Sequence, residues 1–599
     1  MNIVRPTHAA NRDGIALITT LLVIFVIGAL VTGAVAMGAN HLLVDRYWDR
    51  ESELVMLAEA GVEQGRALLN GNKDMFPDSA YATIEAAAAV TDGSGEVIPG
   101  VRRWTYAGPT GITSGQYGVF GSVVSVVRDD GGGVAIRRQQ VYQESFAKFA
   151  YFTDSEGGTI YFANNDHIWG PLHTNDQIKV HGTYANFHDD VTTAQDIYQK
   201  QYGRFDKGYS EYASIIPMPE TADLVKLEAQ ALAGSTMFVG DTDGEDGEAT
   251  LRIEFVAADL NSDGDDTDED EGFIRVYRSA DPEWVAAKRP VVVNCTPTWW
   301  GGTSCTSVED PRASEQCGDY HSGVFVAAPD HDPAVHGHDA DDAMRSGSRV
   351  CYLGGDDRIW GEFRANDGQG QWQAWGGGVD ARVLAARPQD AAYLTPISRA
   401  LNPNFKGVIY VEGNVVVSGR IRGHVTIAAT GNIVFGDDIT YATDPGAGTC
   451  ADMAGYFAGG KVVLSDNLLN APAQLPGSSS WRTYDESTGE FIHGVVLSLS
   501  VFTAENYAEG SNSGQYCETT KAGRGCIYLT GGIIQDTRGA VGLTNGTGYS
   551  KRYSYDKCAA TQPPPYFPTT GVFAKGQYYQ VDPAGFDIGA YFQLIAPGS

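Results

Sequence analysis

The sequence predicts a mainly β protein that begins with one long helix and continues as a parallel β-solenoid interrupted by a loop-rich insertion. Three observations favour this fold class. Residues 14–39 are apolar, glycine makes up 73 of the 599 residues, and short β-branched runs recur between Gly and Asn corners. Glycine at this level exceeds the usual ~7% and suits short strands with tight turns. A chain of this length should form roughly three to five domains.

The N-terminal segment should form a helix over residues 15–73. Residues 15–39 carry no charge, and at about 1.5 Å rise per residue such a helix spans the ~30 Å hydrocarbon layer. Arg5 and Arg12 precede it, which keeps the leader cytoplasmic and sends the rest of the chain across the membrane. A cleaved signal peptide is the alternative, but its apolar region is normally shorter. Beyond residue 40 the apolar spacing becomes amphipathic.

The short leader ending at Gly14, the following "IALITTLLVIFVIGAL" and the later "AEAGVEQGRALL" resemble the N-terminus of type IV pilin-like proteins, in particular PilX-type minor pilins. The resemblance implies that a prepilin peptidase cuts between Gly14 and Ile15 and that Ile15 is then N-methylated. The implied partners are other pilins or pseudopilins and the inner-membrane pilus assembly machinery. The implied location is the inner membrane with the body in the periplasm, followed by the cell surface or a pilus.

The fifth position after the implied cut departs from the main filament subunits of this family. Those subunits carry Glu there, whereas this chain has Thr19. The missing carboxylate would leave a neighbouring subunit's terminal amine uncompensated in an apolar filament core, which is costly. The departure therefore favours a minor or tip subunit. The alternatives are an uncleaved membrane anchor and an envelope protein that never enters a filament.

Hydrophobic runs and turn signals divide the rest of the chain. The runs at 118–127 and 134–142 flank "RDDGGG" and predict a β hairpin. At 408–441, "VIYVEGNVVVSGRIRGHVTIAATGNIVFGDDITY" shows the cadence of stacked coils. An antiparallel sandwich is the alternative, because short runs do not reveal strand direction. The predicted divisions are a leader (1–14), the helix (15–73), a small β head (74–150), first solenoid coils (151–200), an acidic Cys-containing insertion (201–400), the main solenoid (401–540) and a C-terminal region (541–599).

Several phrases in the β-rich part, among them "GPLHTNDQIKVHG" and "GYSKRYSYDKCAATQPPPYFPTTG", resemble an uncharacterised domain found behind PilX-type starts in bacterial surface proteins. This resemblance implies architecture and location and carries no catalytic residues.

One acidic loop within the insertion has the spacing of a calcium site. Hard oxygen donors suit a hard cation, and "DLNSDGDDTDED" over 259–270 places Gly at the sharp-turn position of a twelve-residue calcium loop. The flanking segments resemble strands, which predicts a calcium-clamped hairpin. A solvated acidic turn is the alternative. The predicted ligands are Asp259, Asn261, Asp263, Asp265, Thr267 and Asp270.

The cysteines and one histidine cluster are further candidates. Eight cysteines lie on the translocated side, where disulfides are the default expectation. Proximity suggests Cys295 with Cys305 or Cys317, and Cys517 with Cys526, although order does not fix pairing. His331, His336 and His338 could bind a transition metal, but exposed polar histidines are the commoner outcome.

These observations predict a binding or capping role for adhesion or filament assembly. With 74 acidic against 42 basic residues and a formal charge of -32, the chain should repel nucleic acid. No catalytic triad or phosphate-cradling loop can be read from the spacing, so neither an enzymatic activity nor an organic cofactor is expected. The alternative is a surface-attached carbohydrate-active β-helix enzyme, since such folds can cleave polysaccharides along a carboxylate-lined groove. A surface or polysaccharide ligand fits either case.

Overall fold

The structure, a computed structural model, describes most of the chain. Its described residues fall into two units, the first within 1–112, 120–142 and 573–599, the second within 113–119 and 143–572. The described ranges are 13–72, 75–77, 80–110, 118–158, 160–163, 166–242, 249–279, 295–297, 303–305, 318–321, 324–327, 370–465, 473–474, 481–482, 489–505, 507–508, 525–543 and 547–595.

The first unit combines the long helix α1 (Asp13–Gly71) with a five-stranded sheet. Its strands, in sheet order, are β1 (Ala82–Thr91), β2 (Val97–Pro109), β3 (Phe120–Asp129), β4 (Val134–Ser145) and, from the far end of the chain, β35 (Thr569–Gln580). β1 to β4 form an antiparallel meander that contains the predicted hairpin. A short helix, α6 (Ile588–Ile595), buries Phe592 against the same sheet.

The second half of α1 packs on this sheet because its apolar residues recur on one face. Leu54, Ala58 and Val62 are spaced by four residues and are buried, as expected for one stripe of a helix. Gly61 lies so close to Arg103 that a Cβ there would be 2.5 Å from the arginine Cδ. The helix therefore needs a residue without a side chain at this crossing.

The second unit contains the remaining strands and short helices. The strands before residue 280 are β5 (Tyr151–Ser155), β6 (Asp166–Trp169), β7 (Leu172–Thr174), β8 (Ile178–Lys179), β9 (Ala185–Phe187), β10 (Val191–Thr193), β11 (Ile197–Tyr198), β12 (Gly203–Phe205), β13 (Tyr209–Ser210), β14 (Met237–Val239), β15 (Leu251–Ala257) and β16 (Gly272–Ser279). The short helices are α2 (Thr221–Val225), α3 (Glu228–Gly234), α4 (Ala381–Ala386) and α5 (Cys558–Thr561), with 3₁₀ turns at Phe146–Lys148, Lys200–Tyr202, Ala391–Tyr393 and Pro445–Ala447.

The later strands complete this unit. They are β17 (Cys295–Pro297), β18 (Thr303–Cys305), β19 (Gly318–His321), β20 (Val324–Ala327), β21 (Gly370–Trp372), β22 (Thr395–Pro396), β23 (Val408–Glu412), β24 (Val415–Ile421), β25 (His424–Ala429), β26 (Ile433–Tyr441), β27 (Met453–Ala458), β28 (Val462–Leu464), β29 (Ala473–Gln474), β30 (Trp481–Arg482), β31 (Gly489–Ser498), β32 (Phe502–Ala504), β33 (Gly525–Thr537) and β34 (Tyr549–Ser554). Within the residues that the structure describes, 22 of these strands share one large mixed sheet. The predicted mainly β class and the long N-terminal apolar helix are therefore confirmed.

Most pairings in the large sheet join alternate strands in parallel. β23 pairs with β25 and β25 with β27, while β24 pairs with β26 and β26 with β28. The interior between them is lined by β-branched residues such as Ile409, Ile427 and Val417. The alternation of Val and Ile with smaller residues in 408–441 therefore fills one continuous core.

The order of strands in space differs from their order in the sequence. Ile533 of β33 pairs with Tyr151 of β5, and β34 pairs with β6, so the segment 151–210 follows 525–554 in the sheet. At the other end, β14 and β15 pair with β23 and β24. The connection between these ends contains α2 and α3, and its Leu224 and Leu227 are buried in an apolar cluster with Val408.

Two predicted divisions differ from this arrangement. The acidic region 201–400 was expected to stand apart from the coils, yet its β14, β15 and β16 belong to the large sheet. The C-terminal region predicted over 541–599 is divided between the two units, because β34 joins the large sheet and residues from 573 onward belong to the first unit. Both differences arise because distant strands pair, and composition does not reveal such pairing.

Candidate functional site

The apolar half of α1 has no packing partner among the described residues. Gly14 and Ile15, the predicted processing residues, lie in the first turn of the helix. Every residue from 16 to 50 is exposed, including Phe25 at 79%. In the described part of the chain this is the one helix long and apolar enough to cross a membrane. Such an exposed apolar surface requires a lipid or protein partner.

The hydroxyl of Thr19 forms a hydrogen bond within α1. Its Oγ1 donates to the carbonyl oxygen of Ala16 over 3.0 Å, which is the ordinary way for a threonine in an apolar helix to satisfy its hydroxyl. No acidic side chain stands at this position, so nothing there can balance a neighbouring amine.

The predicted calcium loop connects β15 to β16 and is held by its own side chains. Asp259 accepts hydrogen bonds from the backbone N–H groups of Ser262 and Gly264, and Gly264 has a φ of +98°, which a non-glycine residue rarely adopts. Asp263 accepts from Asp265 N–H at 3.2 Å. The loop therefore has the sharp turn that the spacing predicts.

Several of the predicted ligands bond to one another or to a neighbouring arginine. Asn261 Nδ2 donates to Asp263 at 2.9 Å. Thr267 donates to Asp265, and hydrogen bonds from its hydroxyl and backbone lower the pKa of that carboxyl. Asp270 pairs with Arg382 at 2.6 Å.

Glu271, outside the predicted ligand set, closes the loop. It is buried and accepts from Leu260 N–H and Asp268 N–H at 2.7 and 2.8 Å. Where the structure describes the chain, no three His, Cys, Asp or Glu side chains are arranged to hold a metal ion. The loop is thus pre-shaped by hydrogen bonds, and calcium binding stays a prediction.

Cysteine pairing is partly visible. Cys450 and Cys558 form a disulfide across 108 residues, a pairing that proximity in sequence did not suggest. Cys526 is also disulfide-bonded, whereas its predicted partner Cys517 lies outside the described residues. Cys295 stands opposite Cys305 in the β17–β18 pair, and Cys317 lies outside the described residues. His331, His336 and His338 also lie outside the described residues.

A cavity of about 580 Å³ opens on the outer face of β33, β34 and β6. The register places Thr530, Ser554 and Trp169 in one row across these strands, with Tyr528 and Arg552 two residues earlier. Because side chains two residues apart share a sheet face, both rows point the same way. This volume lies within the ~300–1,000 Å³ range of small-molecule sites.

Trp169 is fixed in the cavity wall by two histidines. Its ring stacks on those of His167 and His188, each at a centroid distance of 4.8 Å. His188 bonds in turn to His167 and, over 2.7 Å, to Asp206. The hydrogen bond from His188 is the main cause that lowers the pKa of Asp206. Trp169 nevertheless remains 40% exposed, so part of the indole forms an open wall.

The rest of the cavity is mixed in character. Tyr555, Asp189 and Lys557 follow the ends of the strands and line it beside Arg552. The hydroxyl of Tyr555 is buried without a hydrogen-bond partner. Gly170 has a φ of +131°, and a Cβ there would collide with Ala150 at 2.7 Å. The glycine thus allows the chain to turn directly beside Trp169.

Sequence reasoning missed this cavity. The alternation in "NDHIWG" indicates that His167 and Trp169 share a face, but nothing local reveals that residues 528–557 lie next to them. The cavity depends on the pairing of β34 with β6, which are almost four hundred residues apart in sequence.

Comparisons with known proteins provide little further information. No protein-family model matches the chain, and no curated protein matches it. Among solved structures, it is similar to the crystal structure of the competence-associated pilin ComZ from Thermus thermophilus, with 12% identity over 88% of this chain and 97% of that one. The TM-score of 0.23 is too low to carry an argument about fold or function.

Proposed function

We propose that the protein is a minor or tip subunit of a type IV pilus or a related secretion filament, with the PilX-type start inferred from its sequence. The supporting observation is α1, which is apolar and exposed over residues 16–39 and packed on an antiparallel sheet further along. The exposed half is stored in the inner membrane and moves among neighbouring subunit helices after processing. Small residues permit close helix packing in both settings.

The proposed partners are other pilins or pseudopilins, the prepilin peptidase and the inner-membrane assembly machinery. Thr19 supports the minor or tip position, because its hydroxyl bonds within its own helix and offers no charge to a neighbouring amine. The role is display, adhesion or capping, without catalysis. The body is exposed first to the periplasm and then at the cell surface.

We also propose a parallel β-solenoid architecture for the second unit. The parallel pairing of alternate strands from β23 to β28 supports it, because stacked turns of chain bring every second or third strand into register. The continuation from β33 to β5, β7 and β10 supports it as well.

The N-terminus of the protein sheared from cells tests the filament role. We expect mass spectrometry to find a chain that begins at N-methylated Ile15 and appears in the appendage fraction. Gly14→Val should block the cut and retain the protein in the membrane, whereas the matched variant Gly28→Ala, at a position with open space around it, should be processed normally. Recovery of uncleaved protein that never enters appendages would contradict the proposal.

The loop 259–270 is further proposed to bind calcium. Its donor spacing and the turn at Gly264 support this, while Asp270 is occupied by Arg382. Calorimetric titration of the full-length protein should therefore show tighter binding after Arg382→Gln, which frees that carboxylate, and weaker binding after Asp259→Asn. No heat of binding at millimolar calcium would refute it.

A further inference from the structure

We propose that the cavity at Trp169 binds an acidic saccharide, a sugar chain that carries carboxylates. This inference rests on the proposed function, since a displayed body acts by holding something at the surface. It names the ligand class and places its binding site on the outer face of β33, β34 and β6.

The aromatic wall supplies the platform for a sugar ring. Trp169 is held flat by the parallel rings of His167 and His188, with angles of 13° and 12°. Tyr528, which also lines the cavity, stacks on Phe491 at 4.9 Å. Aromatic faces carry partial negative charge and attract the weakly positive C–H groups on the flat face of a pyranose. Because the rings are already fixed, little side-chain entropy is lost on binding.

The charges in the cavity select an acid. Arg552 and Lys557 are the cations of the lining, and Asp189 is its carboxylate. Lys207 bonds to Asp189 over 2.6 Å, so the lining holds two cations and one carboxylate that is already paired. The chain as a whole carries -32, but exposed charges beyond about 8 Å are largely screened at physiological salt. The electrostatic interaction with a ligand inside the cavity therefore depends mainly on the cations that line it.

Polar groups complete the site for a hydroxylated ligand. The hydroxyls of Thr530 and Ser554 stand in the same row as Trp169 and can each donate and accept a hydrogen bond. The unpartnered hydroxyl of Tyr555 is a further group that a ligand can satisfy, and a buried hydroxyl without a hydrogen bond is destabilising. An apolar ligand would leave the Tyr555 hydroxyl without a hydrogen bond.

Calorimetric titration of the detergent-solubilised full-length protein tests the inference. The probes are a hexasaccharide of galacturonic acid, the neutral hexasaccharide of galactose and a single-stranded oligonucleotide. We expect the acidic hexasaccharide to bind at least tenfold more tightly than the neutral one. Trp169→Ala should weaken binding at least tenfold, and Trp169→Phe should recover part of it. Lys557→Gln should weaken binding of the acidic hexasaccharide alone.

The control is Tyr212→Ala, which removes an exposed tyrosine of the same unit away from the cavity and should leave affinity unchanged. Three results would overturn the inference: no binding of the acidic hexasaccharide at millimolar concentration, wild-type affinity in a stably folded Trp169→Ala protein, or preferential binding of the oligonucleotide. Each leaves the filament role intact, because that role is decided by the mature N-terminus and not by affinity.

Discussion

Arg538 and Glu156 lie in the interior of the second unit, where Nη1 of the arginine donates to the glutamate over 2.7 Å. The guanidinium also lies 3.8 Å from the ring centroid of Phe162. Close by, Lys551 pairs with Asp166 at 3.1 Å. These pairs join the segments of β5 and β6 to those of β33 and β34. These buried ion pairs therefore connect segments of the chain that are far apart in sequence.

Arg538→Met should destabilise the protein by about 3–5 kcal/mol, because it leaves the buried Glu156 carboxylate without its paired cation, with only the hydroxyls of Tyr151 and Thr153 as donors. The double variant with Glu156→Gln should recover part of that loss. The exposed pair Lys226–Asp223 is the matched control, and Lys226→Ala should cost less than about 1 kcal/mol. Denaturant unfolding measures all three. Equal effects of Arg538→Met and Lys226→Ala would show that the buried pair is unimportant.

His493 predicts an acid-sensitive step. Burial lowers its pKa to about 4, and its Nδ1 accepts from Tyr441 N–H at 3.0 Å, which requires that nitrogen to be unprotonated. The unfolded chain takes up the proton near pH 6.5. The contribution of neutral His493 to the free energy of unfolding is therefore complete above about pH 6.5 and is lost as the pH falls toward 4.

The pH dependence of the melting temperature measures this effect. His493→Gln should lower the melting temperature at pH 7.5 but flatten its decline between pH 6.5 and 4.5. His181→Gln, at an exposed corner, should leave that decline as in the wild type. An unchanged slope for His493→Gln would contradict the assignment.

At the scale of elements, α1 depends on glycine where it crosses the sheet. A side chain at Gly61 would collide with Ser125 and Arg103, and one at Gly65 would lie 2.8 Å from Val123 Cγ1. Arg103 is itself paired with Glu85 at 2.8 Å in a nearly buried site, so it cannot move away cheaply. The helix therefore gives up helical propensity at these positions in exchange for close packing.

Gly61→Val should cost roughly 1–3 kcal/mol through overpacking and lower the melting temperature. Gly71→Ala in the same helix, where nothing lies within 4 Å of the added Cβ, is the control and should be neutral or slightly stabilising. A Gly61→Val protein as stable as the Gly71→Ala protein would mean that the helix shifts freely on the sheet.

The ends of this helix were predictable and its last partner strand was not. The predicted helix over 15–73 lies within two residues of the observed Asp13–Gly71 at each end. An uncharged run followed by amphipathic spacing is typical of a helix and of few other structures. β35 carries no such signal. It is tied to α1 by Asn70, which bonds to both the carbonyl and the N–H of Phe573, and by Lys575 and Tyr578, which bond to Glu63.

At the scale of the whole molecule, the sequence indicated strands but not their neighbours. Runs such as "VIYVEG" and "NIVFGD" predict β23 and β26, because β-branched residues are followed by Gly at a corner. Their order in the sheet is set by packing between distant segments, as where Ile533 meets Tyr151. The cavity at Trp169 arises from this long-range order, which is why its residues could not be assembled from local patterns.

The Cys450–Cys558 disulfide predicts a stability effect on the same scale. It closes a loop of 108 residues, and in the chain-entropy model a loop of about 100 residues is worth roughly 4.7 kcal/mol. Cys450→Ala with Cys558→Ala should therefore lower the melting temperature, as should reduction of the wild type. A double variant with the melting temperature of the wild type would show that the disulfide does not stabilise the protein.

The second unit is continuous with the first at both ends, through β4 and through β35. A single cut of the chain inside residues 143–572 thus leaves one fragment joined to α1 and the other joined to the residues from 573 onward, which also belong to the first unit. Release of the body requires a cut on either side. This double connection means that one break in the chain does not separate the second unit from the first.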